Sequence, residues 1–224
     1  MKNNREELKN NEMIKELGAP LTLWEGLRCV TIIGQIEGHQ VLSEDTKTTK
    51  YEHLMPLLVS MEEDPAVKAV LFLVNTAGGD VDAGLGLAEL IAGMGKPTAS
   101  LVLGGSHSIG VPLAVAAKRS FISPSAAMTV HPVRLTGLVI GTEETYNYFS
   151  KIEERILSFV TSHSNISREK LRKLMHGRAN MANDVGTVLT GREAVEAGII
   201  DAVGSLGDVL RYLHGEMGNK SMGG

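Results

Sequence analysis

Residues 101–112 read Leu101-Val102-Leu103-Gly104-Gly105-Ser106-His107-Ser108-Ile109-Gly110-Val111-Pro112, and the meaning of the surrounding chain turns on them. An apolar strand runs into small residues, a serine is presented between His107 and Ile109, and an apolar, helix-like run from Val111 to Ala117 follows. A sharp strand-to-helix turn lifts one side chain clear of its neighbours. It also aims the first free amides of the helix at negative charge developing beside that side chain. Ser108 is therefore the candidate nucleophile. Taken alone, the segment fits a plain Gly-Ser turn before a core helix better, so the flanking elements have to decide.

Upstream, Val67 to Val74 is a near-continuous apolar run, as expected of a parallel strand covered on both faces. It leads into a loop, Asn75 to Asp80, that contains Gly78-Gly79, and then into a predicted helix from Val81 to Met94 closed by Gly95-Lys96-Pro97. Arg28 to Ile36 reads as the first buried strand, and Thr48 to Met61 as a helix with Tyr51, Leu54, Met55, Leu58 and Met61 at helical spacing. Downstream, Ser120 to Ile122 and Met128 to His131 look like a further short pair of strands. Strands alternating with helices predict an α/β fold with a parallel sheet and right-handed β-α-β units.

After His131 the pattern changes. Pro132 to Gly141 suits an extended arm, and Thr142 to Ser162 a long helix with Tyr146, Phe149, Ile152, Ile156 and Phe159 on one face. Apolar bulk beyond what one packed helix needs suits a subunit interface as well as a core. Ser167 to Met175 predicts a short helix, and Gly191 to Asp201 a helix, a glycine stop at Gly198 and a last strand.

Composition bounds the function. With 224 residues, 43% of them hydrophobic, the chain can bury one sizeable core. A single domain is expected over 19–215, between a flexible polar tail, 1–18, and a disordered C-terminal tail, 216–224. The formal charge of −4 is made of interspersed Asp, Glu, Lys and Arg, which argues against nucleic acid as a partner. Cys29 is the only cysteine and sits in an apolar stretch, so a disulfide framework is excluded and a cytoplasmic location fits. Met1 to Glu16 has no apolar centre like that of a secretory signal, and no apolar run approaches the roughly 18 residues of a membrane span.

A serine hydroxyl needs an imidazole to take its proton, a group that holds the imidazole in the right tautomer, and amide donors for the tetrahedral oxyanion. Ser108 supplies the first part and the Ile109 N–H one donor. The Gly78-Gly79 loop ends the neighbouring parallel strand, which puts its amides at the same sheet edge. His131 ends the next apolar stretch at that edge and is stiffened by Pro132. Ser106 is an alternative nucleophile, although a position two residues earlier points away from those amides. Lys118 would lie about 15 Å along the following helix, too far to serve as the base. An acyl-thioester chemistry could use the same two amides, but the loops offer no acid-base pair for it. No metal or cofactor is expected.

These residues carry a family resemblance. Asn75-Thr76-Ala77-Gly78-Gly79, Gly104 to Gly110, Met128-Thr129-Val130-His131-Pro132 and Glu193 to Asp201 resemble, in order and spacing, the proteolytic subunit of the Clp protease, and within that family its translocation-enhancing branch. The resemblance spans about residues 28 to 203. It implies a crotonase-like spiral of β-α-β units with a projecting handle helix at about 133–162. It also implies a homo-oligomer of one ring or two stacked rings enclosing a chamber, polypeptide as substrate and an ATP-driven unfoldase as a partner open to it. It casts Ser108 as nucleophile, His131 as general base, and Gly78 and Ile109 as oxyanion donors. The sequence departs from the family at the acid. The family's aspartate position falls on Gly186, and the candidate in its place is Asp184, two residues earlier; Asn180 and Asn183 are weaker substitutes, and Asp201 reads as a structural strand end. The activity implied is that of a serine endopeptidase supporting quality control or preprotein secretion, the alternative being a ring-forming scaffold or export-assisting factor with weak or no peptidase activity.

Overall fold

The computed structural model describes residues 26–134, 143–177 and 186–221. At its centre lies β3 (Ala69–Gly79), hydrogen-bonded in parallel between β1 (Leu27–Glu37) and β4 (Thr98–His107). Alternate residues of β3 and β4 serve two different cores, as strands covered on both faces require. Val70, Phe72, Val74 and Val102 pack with Leu54 and Leu58 of α1 (Tyr51–Glu63), Leu85 and Leu87 of α2 (Val81–Gly93) and Leu113 of α3 (Gly110–Val115). Ala69, Leu71, Ala99 and Leu101 face the other way, against Phe121 and against Val209 and Leu213 of the C-terminal helix.

Beyond these, the described chain contains β2 (Thr48–Lys50), β5 (Arg119–Ile122), β6 (Ala127–Val130), α4 (Glu143–Ser162), α5 (Arg168–Met175), β7 (Thr187–Thr190), α6 (Gly191–Ala197), β8 (Ala202–Val203) and α7 (Leu206–Ser221). The main sheet runs β2-β1-β3-β4-β5-β8, all parallel. One feature of β4 positions the site. Its first half, Ala99 to Val102, pairs with β5, whereas Gly105 to His107 pair with β6. Between the halves the β3 register shifts from Val74↔Val102 to Thr76↔Ser106, and the Asn75 side chain accepts the Gly105 N–H at 3.2 Å. Such a bulge re-aims a strand, and here it delivers the end of β4 to the strand that precedes His131.

Several expectations need correction. Thr48–Lys50 is a strand and the helix begins at Tyr51, because Thr49 Oγ1 both accepts from Ile33 N–H and donates to Ile33 O, each at 2.8 Å, tying the segment to β1. The two short strands expected near 120 and 128 are both present, and each takes a different half of β4. The sheet is not wholly parallel, since β7 runs antiparallel to β6. The stretch from 216, expected as a disordered tail, continues α7 to Ser221, with Met217 packed on the second core. Residues 1–18 of the expected N-terminal tail, most of the arm, 135–141, and the expected first residue of the long helix, Thr142, lie outside the described residues.

The long helix is buried at one end and exposed at the other. Leu157, Phe159 and Val160 at its C-terminal end are buried, while Tyr146 and Tyr148 near its start are 73% and 57% exposed. Asp201 is structural but ends no strand: the last strand, expected up to Asp201, is β8 at Ala202–Val203, and Asp201 lies just before it. Its carboxylate accepts the Ser120 N–H at 2.8 Å and the Ser120 hydroxyl at 3.0 Å, and Ser120 is buried. Asp201→Ala leaves two buried donors unmatched and is expected to lower stability by about 1–3 kcal/mol in a denaturant titration.

Candidate active site

β4 hands directly over to α3 at Ser108, the only non-glycine among the described residues with positive φ, at 58°. Side chains adopt this conformation only where the surroundings over-determine it, and it gathers at functional sites. The turn is held from both sides: the Ser108 N–H donates to Thr129 O at 2.8 Å, and its carbonyl accepts the Val111 N–H at 3.0 Å. Ile109 follows in helical conformation, its side chain buried, so its backbone opens α3 beside the serine.

Gly78 closes over this turn from β3. Its φ is 94°, and a methyl group placed on it would lie 2.8 Å from both His107 O and Ser108 Cβ and 3.4 Å from Ser108 Oγ. Only glycine allows that approach. In this conformation the Gly78 N–H donates to Thr76 Oγ1 at 3.0 Å, and Thr76 Oγ1 donates to Gly34 O at 2.6 Å. The amide must therefore turn from the Thr76 hydroxyl to meet an oxyanion.

His131 enters from β6. Because His107 is registered with Thr129, the two chains leave the sheet side by side, and Ser108 and His131 line one cavity of about 150 Å³. Its walls are mainly apolar: Val81, Val111, Ile156, Val160, Leu171 and Met175. Sequence reasoning missed Leu171 and Met175, since a buried helix face carries no mark of which cavity it borders. His131 Nδ1 lies 2.6 Å from the carbonyl oxygen of Pro132. A much larger groove, about 1130 Å³, lies between α2 and α4 and includes neither Ser108 nor His131.

The other candidates separate cleanly. Ser106 is fully buried and its hydroxyl has no partner, so no substrate reaches it. Lys118 N–H caps Thr98 Oγ1 and its ammonium donates to Gly95 O at 2.9 Å, at the opposite end of β4 from Ser108. Asp184, Asn180 and Asn183 lie outside the described residues. Gly186 is described, and it abuts His131: a methyl group on it would sit 2.7 Å from His131 Cβ and 2.7 Å from Val130 O.

His107, passed over as a mere neighbour of the serine, is part of the site's electrostatics. Its Nδ1 lies 2.8 Å from Thr129 Oγ1. Burial, and then the nearby His131, hold its pKa below the ordinary 6.5. The unfolded chain thus binds more protons than the folded one just below pH 6.5. The stability linked to neutral His107 is complete above that pH and is lost as pH falls through the window beneath it. His107→Gln is expected to shrink the drop in melting temperature between about pH 7.5 and pH 5, measured by thermal unfolding.

A family model described as Clp protease matches residues 25–206. The translocation-enhancing protein TepA of Halalkalibacterium halodurans is 51% identical over 205 residues, covering 90% of this chain and 80% of that protein. The ATP-dependent Clp protease proteolytic subunit 1 of Chlamydia muridarum is 26% identical over 140 residues, 60% of this chain and 69% of that protein. The protein of the same description from Protochlamydia amoebophila is 27% identical over 146 residues, 62% and 66% of the two chains.

Proposed function

The chain belongs to the Clp protease family, and on that premise we propose that it is a serine endopeptidase cleaving unfolded or short polypeptides inside a homo-oligomeric chamber. The observation that carries the reading is the strained Ser108 at a strand-to-helix turn, sharing one cavity with His131. In the proposed reaction Ser108 Oγ attacks the scissile carbonyl carbon while its proton passes to His131 Nε2. The carbonyl oxygen becomes the oxyanion, met by the Ile109 N–H and by the Gly78 N–H once it leaves Thr76. His131 then gives the proton to the leaving amine, and water repeats the sequence on the acyl-enzyme. The apolar walls favour an apolar side chain next to the cleaved bond.

The exposure of Tyr146 and Tyr148 near the start of α4 supports a role for it in joining subunits. An ATP-driven unfoldase and a role in secretion belong to the same proposal. So does a cytoplasmic location; among the described residues no helix is long and apolar enough to cross a membrane.

A second reading, a ring-forming scaffold or export-assisting factor with little hydrolysis, draws on two observations. The Gly78 amide is engaged by Thr76, and the similar protein from H. halodurans is described as translocation-enhancing. A fluorophosphonate probe separates the two. Labelling of the wild type, absent in Ser108→Ala, supports the peptidase; no labelling of either, with no cleavage of casein or a short fluorogenic peptide, leaves the scaffold.

A further inference from the structure

We infer that the backbone carbonyl of Pro132, and not a carboxylate, is the group that holds His131 in the tautomer able to accept the Ser108 proton. The inference rests on the peptidase reading for its chemistry, but its geometry stands by itself. A carbonyl oxygen only accepts, so the 2.6 Å contact from His131 Nδ1 to Pro132 O puts the ring proton on Nδ1. The lone pair is then left on Nε2. This is the tautomer that an orienting aspartate produces in other serine peptidases.

Both residues are restrained to make that bond. The Pro132 ring fixes its own φ, and a residue preceding proline is held extended. On the other side, position 186 has no room for an acid. β7 pairs with β6 antiparallel, Val130 opposite Thr187, so the next rung sets Gly186 against His131. The rung is pinned by Gly186 N–H donating to Gly177 O at 2.9 Å and Thr187 Oγ1 donating to Leu174 O at 2.6 Å. With Val130 O and His131 Cβ each 2.7 Å from where a side chain would begin, and a φ of 137°, that position takes no carboxylate.

The chemistry balances without one. When Oγ bonds to the carbonyl carbon, its proton moves to Nε2, and the imidazolium keeps its Nδ1–H on the Pro132 oxygen. A neutral acceptor fixes orientation but does not neutralise the imidazolium. Turnover is therefore expected below that of a complete triad, yet above that of an enzyme with the wrong tautomer, a defect worth about 10⁴-fold. Pro132 is a positioning residue that acts through His131.

Two readouts test the proposal. The first is ¹⁵N solid-state NMR of histidine-labelled protein above pH 8, with the His131 signals assigned by their loss in His131→Gln. Neutral His131 is expected to carry its proton on Nδ1, in the wild type and in Asp184→Asn alike. An Nε2–H tautomer, or one that changes in Asp184→Asn, overturns the proposal. The second is the rate of fluorophosphonate labelling against pH. Asp184→Asn is expected to label within tenfold of the wild type with the same pH midpoint; a larger loss or a shifted midpoint makes Asp184 the orienting acid. If the wild type takes up no probe at all, the peptidase reading fails, while the NMR result still decides which atom carries the proton.

Discussion

Ser108→Ala is expected to abolish labelling by a fluorophosphonate and to lower kcat for a short fluorogenic peptide to background, a loss on the order of 10⁶-fold where catalytic serines have been removed. The size follows from the proposed mechanism, in which without Oγ no acyl-enzyme forms and His131 has no proton to take. What survives is whatever the Ile109 and Gly78 amides contribute to water attack, and such residual catalysis is about 10³–10⁴-fold over solution. The substitution also relieves no strain by itself, since alanine has the same aversion to a φ of 58°. Melting temperature is therefore expected to stay within a few degrees, which separates a lost nucleophile from a lost fold. Retention of cleavage by Ser108→Ala would move the chemistry elsewhere in the molecule.

Gly78→Ala is expected to be nearly as damaging for a different reason. A β-carbon at this position meets His107 O and Ser108 Cβ at 2.8 Å, where ordinary contacts are well over 3 Å, and it must adopt a φ of 94°. The backbone conformation alone costs about 1–2 kcal/mol. The contact can be relieved only by moving β3 away from the turn or by pushing Ser108 out of its place. A displacement of about 1 Å in a reacting group costs on the order of 10²-fold in rate, and the proposed oxyanion donor on the same residue moves with it. We expect kcat to fall about 10²- to 10³-fold with KM little changed, together with a lower melting temperature. Steady-state kinetics beside calorimetry checks this; a kcat within threefold of the wild type means that the close approach of Gly78 has no part in catalysis.

Most of what the sequence made legible came from local rules. A doubly covered strand shows as an unbroken apolar run, so β3 was recognised, although it extends through Gly79 where a loop was expected. The helices over 81–93 and 168–175 have side-chain caps, Asp80 accepting from Ala83 N–H and Ser167 from Lys170 N–H, which are local signals. In contrast, β7 and α7 went unremarked: β7 exists because it pairs with β6, and α7 because Val209 and Leu213 cover the second face of the sheet.

The site divides along the same line. From the sequence alone, Ser108 could be singled out by its turn, His131 by its place after a strand and before a proline, and Gly78 by its loop, because each depends on residues next to it. The convergence of Ser108 and His131 on one cavity, with Gly78 close over the serine turn, depends on β4 leaving β5 for β6 after Val102, a choice made by a register shift against β3 that no local pattern encodes. The sequence also exposed the gap at Gly186, but an empty acid position has two meanings until packing is known. Tertiary structure supplied the contact of Gly186 with His131 and the 2.6 Å approach of Pro132 O to Nδ1. Both arise from distances between backbones brought together by strand pairing, and a one-dimensional pattern of side chains holds no record of such distances.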